Sequence, residues 1–140
     1  MPTFKRRAAL LLTAVALLLT VAAPSFAEEV LAQGSSWDKR SAKIQGDWKI
    51  VDRDGQLFLV LGNGFKTKRA PDLKAFLIPV PATGVAKKDI PAGSLRIGLL
   101  ESHKGAQELT LPAGTSLDDY RSLAVHCEKF NKVWSVTSLR

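Results

Sequence analysis

From Arg40 to the C-terminus no long stretch of this chain sustains a helical apolar period. Short apolar or alternating runs recur instead, each closed by Gly, Pro or Asp. A period of two places apolar side chains on one face of a strand. Short runs of this kind with regular turn signals predict an all-β fold, an antiparallel β-sandwich of about eight short strands. The plainest local signal is Trp48 to Leu61, where Asp54-Gly55 separates two apolar-rich runs. That dipeptide tolerates the positive φ angles a two-residue hairpin turn demands. Lys74 to Ile78 is the next expected strand, stopped by Pro79 and Pro81, and Thr83 to Gly93 reads as a loop. Leu95–Leu100 and Gln107–Leu111 are expected to pair through a turn at Lys104-Gly105. Ser116–Asp119 suits one helical turn, and Ser122–Cys127 and Val133–Leu139 form the last two strands.

The N-terminus obeys a different logic. Lys5, Arg6 and Arg7 precede an uncharged Leu- and Ala-rich run from Ala8 to Ala23, then Pro24, the small-residue exit Ser25-Phe26-Ala27, and the acidic pair Glu28-Glu29. This is the layout of a secretory signal peptide over 1–27, cleaved after Ala27, with an apolar core short for a membrane span. The expected location is therefore periplasmic or secreted, with no membrane span after cleavage. Residues 28–40, with Gly34-Ser35-Ser36, read as a flexible lead-in to a domain at 41–140.

Cleavage also changes the charge. Of 20 basic and 13 acidic residues, the signal removes Lys5, Arg6, Arg7 and no acid, leaving 17 against 13, a net +4. No block of like charge reads as a nucleic-acid tail. The small clusters Lys66/Lys68/Arg69 and Lys87-Lys88 read as solvated loops.

One cysteine, Cys127, stands in the whole chain. An intrachain disulfide is thus ruled out, and the odd thiol invites a disulfide-linked dimer. On a strand, Leu123, Val125 and Cys127 share one face while Ala124, His126 and Glu128 take the other. Apolar company suggests an inward thiol, which is ordinarily inert. Lys129 and Lys132 would favour a thiolate if the strand end were open. Both readings stand at this point. Metal chemistry lacks ligands: besides Cys127 the chain has only His103 and His126, and neighbours on a strand face apart. Blue copper would need two His, a Cys and commonly a Met, but the single Met is Met1. Haem stays open as a group held by one axial ligand, from Cys127, His103 or His126, without covalent attachment. A Cys127, His103 and Asp72 set is linked only by composition, and no enzyme motif occurs. Both histidines read as exposed, Asp72 as a turn organiser after Pro71, and Trp37, Trp48, Phe130 and Trp134 as core.

Three motifs in order carry a family likeness: Ala70-Pro71-Asp72-Leu73 before a strand, Lys104-Gly105-Ala106-Gln107 with Leu111-Pro112, and Ser122 to Trp134. Together they resemble the DM-thirteen domain family, over roughly Ser41 to Leu139. Ala70 replaces the family's usual Gly, and His126 replaces the aromatic that usually precedes the Cys. The resemblance implies an accessory redox or electron-transfer domain working through Cys127, as a bare thiol or as ligand to a prosthetic group, with His126, Phe130 and Trp134 around it. Its partner would be a redox or surface component of the cell envelope. The competing reading is a binding or adhesion module in which the Cys is structural. In neither case is an ordinary enzyme expected.

Overall fold

The computed structural model describes residues 27–140, together with Ala16 and Thr20, so the expected signal peptide falls outside the described residues except for Ala16, Thr20 and Ala27. One antiparallel sheet runs in the order β1 (Glu28–Gly34), β4 (Trp48–Arg53), β5 (Gln56–Leu61), β9 (Gln107–Thr110). The second runs β2 (Asp38–Lys39), β11 (Lys132–Ser138), β10 (Ser122–Cys127), β7 (Leu73–Ile78), β8 (Leu95–Leu99). A two-residue pair, β3 (Ile44–Gln45) with β6 (Lys66–Thr67), closes one end. The protein is an antiparallel β-sandwich. Of the eleven strands among the described residues three are two-residue elements, and the other eight include β1, which the sequence reading did not expect.

β1 corrects the flexible lead-in. Glu28 to Gly34 pairs along β4 from Glu28↔Arg53 to Gly34↔Trp48. Its Glu28 carboxylate accepts from Arg53 Nη2 at 2.8 Å and Lys49 Nζ at 3.3 Å. Polar side chains on an edge strand are compatible with pairing through the backbone, which composition does not report.

Alternation builds the core between the sheets. Trp48 and Ile50, then Leu57, Leu59 and Leu61, then Leu109 and Leu111 face inward from one sheet. Leu73, Ala75 and Leu77, Ile97, and Leu123, Val125 and Cys127 meet them from the other. β10 is buried at all six positions because it is central in its sheet and covered on both sides. Its outer cover is a second small core, Phe76, Ile78, Ala82, Val85, Ala124, Val133 and Val136, roofed by the loop after Ile78. Arg40 pins that roof by donating from Nε to the Val85 carbonyl and from Nη2 to that of Ala82, both at 2.7 Å.

The Asp54-Gly55 turn forms as expected, with both residues at positive φ. The expected helical turn appears at Leu117–Asp119, and a second stands at Ala82–Gly84. The expected pairing of Leu95–Leu100 with Gln107–Leu111 does not. β8 pairs with β7 and β9 with β5, so the intervening segment crosses between sheets. Gln107 holds that crossing: its Oε1 accepts from the Glu101 and Ser102 amides, and its Nε2 donates to the Ser102 carbonyl.

Candidate functional site

The strand that carries Cys127 is followed by a four-residue turn, Glu128 to Asn131, and β11 returns beside it. The register slips between Val125 and His126, which pair with Ser135 and Val133, leaving Trp134 as the extra residue of a bulge. The bulge turns the Val133 and Trp134 carbonyls toward Arg40, Ser41 and Ala42, whose amides donate to them at 3.0 to 3.1 Å. This docks the Arg40–Ala42 segment over the Trp134 side of the sheet.

Cys127 points into the inter-sheet core and has no exposed surface. It lines none of the larger surface clefts. The sulfur therefore cannot reach a second chain for a disulfide while the fold is closed. An iron porphyrin on this thiolate does not fit either, since nothing opens onto the sulfur.

His126 faces the other way, as alternation predicts, but is buried rather than exposed. It stacks edge-on against Phe76, with ring centroids 5.7 Å apart. Its Nε2 lies 3.1 Å from Asn131 Oδ1, while Asn131 Nδ2 donates to Asp89 Oδ1 at 2.7 Å. With the amide so oriented, Nε2 of His126 carries the proton and donates, and Nδ1 is buried without a partner. His126 thus belongs to the outer core and does not assist Cys127.

Asp72 does not organise a turn through its side chain. It pairs with Lys74 at 3.0 Å, and Lys74 reaches Glu128 Oε2 at 2.5 Å, with Arg96 on the other Glu128 oxygen. The hydrogen bond from Lys74 first, and the charge of Arg96 after it, hold the Glu128 carboxyl below the usual carboxylate range. Lys74 is pushed up by the same contacts, with Glu128 ahead of Asp72. The Glu128 amide also donates to the Asp72 carbonyl at 3.2 Å. Asp72 is a brace between the start of β7 and the end of β10. Cys127, His103 and Asp72 form no triad. Among the described residues no three His, Cys, Asp or Glu side chains are grouped to share an ion.

Phe130 also departs from expectation: it is 53% exposed at the turn tip, with Lys129 Nζ 5.9 Å from its ring centre. Trp48 and Trp134 are core, and Trp37 is half-buried against Trp48. Ala70 lies outside the positive-φ residues, so replacing Gly there brings no backbone strain.

What the structure does bring together is the surface around Lys66–Pro71. A cleft of about 300 Å³ lies between Arg69, Ala70, Pro71 and the aromatic pair Phe130 and Trp134, with Lys68 and Lys132 on its edge. Across the Arg69–Pro71 rim a second cleft, about 490 Å³, is floored by Leu73, Leu99 and Leu100 and edged by His103 and Lys104. A third, about 440 Å³, is edged by Lys39, Lys43, Lys66 and Lys68. Burial first, and then the charges of Arg69, Lys104 and Lys66, hold the His103 imidazole below its ordinary range. Sequence reading placed Lys66, Lys68 and Arg69 in a solvated loop. Lys39, Lys43, Lys104 and Lys132 converge there only through the tertiary fold.

A small antiparallel sandwich with a buried lone thiol and a cationic, cleft-bearing edge defines the class. Residues 37–139 match the family model described as Electron transfer DM13, and the chain belongs to that family. No curated protein and no solved structure matches it. An electron-transfer role in general follows from that membership.

Proposed function

We propose that this protein is an exported accessory module of electron transfer that works by docking a partner, with Cys127 as core packing. The observation that carries this reading is the absence of any exposed surface on Cys127, between the two apolar sheets. A thiol reacts only where a second molecule can reach the sulfur, and the closed fold gives Cys127 no such path. Export is supported by the basic start, the uncharged apolar run and the small-residue exit of residues 1–27. β1 opens at Glu28, the residue that cleavage after Ala27 would expose. N-terminal sequencing of protein recovered from the envelope or medium should read from Glu28. A chain that keeps Met1 and stays in the cytoplasm would overturn export.

A second reading, redox work at the thiol, is favoured by the family's assignment to electron transfer. As the lone cysteine, Cys127 would attack a partner's disulfide, forming a mixed disulfide and releasing a partner thiolate. Its strand end would first have to open. Thiol labelling with and without denaturant separates the two. Reaction only on unfolding sustains the docking reading, whereas stoichiometric labelling of the native protein overturns it in favour of thiol exchange.

A further inference from the structure

The edge around Lys66–Pro71 has a one-sided charge that the rest of the molecule lacks. Seven cations line its three clefts, against the single carboxylate of Glu101. All seven are exposed, and none enters an ion pair among the described residues. Elsewhere Lys49, Arg53, Lys74, Arg96 and Arg140 are each matched by a carboxylate. The five cations outside both groups, Arg40, Lys87, Lys88, Arg121 and Lys129, line none of these three clefts. Because residues 28–140 total only +4, the surface away from this edge carries a slight negative charge. Among the described residues the two most exposed large apolar side chains, Leu99 at 54% and Phe130 at 53%, lie in this region, one on each side of the Arg69–Pro71 rim.

We infer that this edge is a docking surface for an acidic protein partner, with Phe130 and Leu99 as its apolar anchors. Protein interfaces combine a few desolvated apolar or aromatic anchors with a polar rim. Complementary charge across such a rim speeds encounter and fixes orientation. Contiguous clefts suit the protruding side chains of a folded partner better than the flat plane of a bilayer. An anionic glycan would leave Phe130 and Leu99 without a counterpart. The inference rests on the docking reading above and names the partner's chemistry. It involves different atoms from the Cys127 labelling, so either can fail alone.

The test uses the purified protein and three probes: a synthetic glutamate-rich peptide carrying leucine, heparin, and phosphatidylglycerol vesicles. The peptide should bind, and more weakly as salt rises. R69E combined with K132E should weaken that binding by about tenfold or more, since like charges then face the probe. Phe130→Ser should weaken it by a smaller factor. K87E combined with K88E changes the net charge equally, but away from the clefts, and should leave affinity within about twofold. Thermal unfolding of each variant confirms that the fold persists. The inference is overturned by no peptide binding, by equal losses in the two charge-reversed pairs, or by binding confined to heparin or vesicles.

Discussion

Hairpin β4–β5 keeps an unbroken register from Trp48↔Leu61 to Arg53↔Gln56, whereas β10–β11 slips by one residue at Trp134. The first closes on a two-residue turn, Asp54-Gly55, that its own sequence dictates. Its cations are matched: Lys49 meets Glu28, and Arg53 meets both Glu28 and Glu108. The second closes on four residues ending at Asn131, at φ +46, and its bulge is accommodated by a distant segment, Arg40–Ala42. Beside it lie Lys68, Arg69 and Lys132, none of them in an ion pair among the described residues. One hairpin is satisfied by its neighbours in its own sheet. The other depends on long-range contacts and leaves charge and an aromatic ring facing solvent, as a contact surface does.

Trp48→Ala tests the regular hairpin hardest. Trp48 is 2% exposed and fills the inter-sheet core, so its removal should cost about 3–5 kcal/mol in urea unfolding. A loss below about 1 kcal/mol would show that this hairpin does not anchor the sandwich.

Asn131→Ala probes the irregular hairpin. It removes the contacts to His126 and Asp89 and places a non-Asn residue in left-handed backbone. We expect a loss of about 1–3 kcal/mol. Asn131→Gly, free of the φ cost, should be milder by about 1 kcal/mol. Equal losses for the two would mean that the turn relaxes and the hydrogen bonds alone matter.

Acid sharpens the charge contrast. Glu128 and Glu28 both have lowered carboxyl pKa values, Glu128 through Lys74 first and Glu28 through Arg53 first. Their stabilisation is present in full above the ordinary 4.5 and is lost as pH falls through the lowered folded values. Melting temperature should therefore drop below that pH, and less steeply in Glu128→Gln. On the cationic edge the smallest effect is expected at His103. Its NMR titration midpoint should lie below 6.5 and rise toward it in Arg69→Gln, which removes one of the repelling charges. A midpoint unmoved by that change would mean the cations there are screened from one another.

Local chemistry made several features legible. Asp54-Gly55 encodes its turn because φ preference is a property of the residues themselves. The alternation Leu123, Val125, Cys127 located the inward face of β10 because a pleat has period two. The burial of His126 escaped, since its cover, Phe76 and the loop reaching Asp89, is remote in sequence. So did the exposure of Phe130, because apolarity alone does not say which aromatic a turn carries outward. The partners of β8 and β9 were misread for a related reason. A short connection favours a hairpin, but sheet choice was decided by which edge, β7 or β5, each strand could complete.

By itself the amino-acid sequence determined the strand-rich class, the tight turn, the side of β10 on which the sulfur lies, and the family likeness. All of these rest on interactions spanning a few residues or on fixed spacing. Only the tertiary structure decided that Cys127 is sealed between two sheets and that Lys39, Lys66, Arg69, Lys104 and Lys132 share one edge. Burial and surface potential are sums over neighbours far apart along the chain, and the packing of the sheets chooses those neighbours.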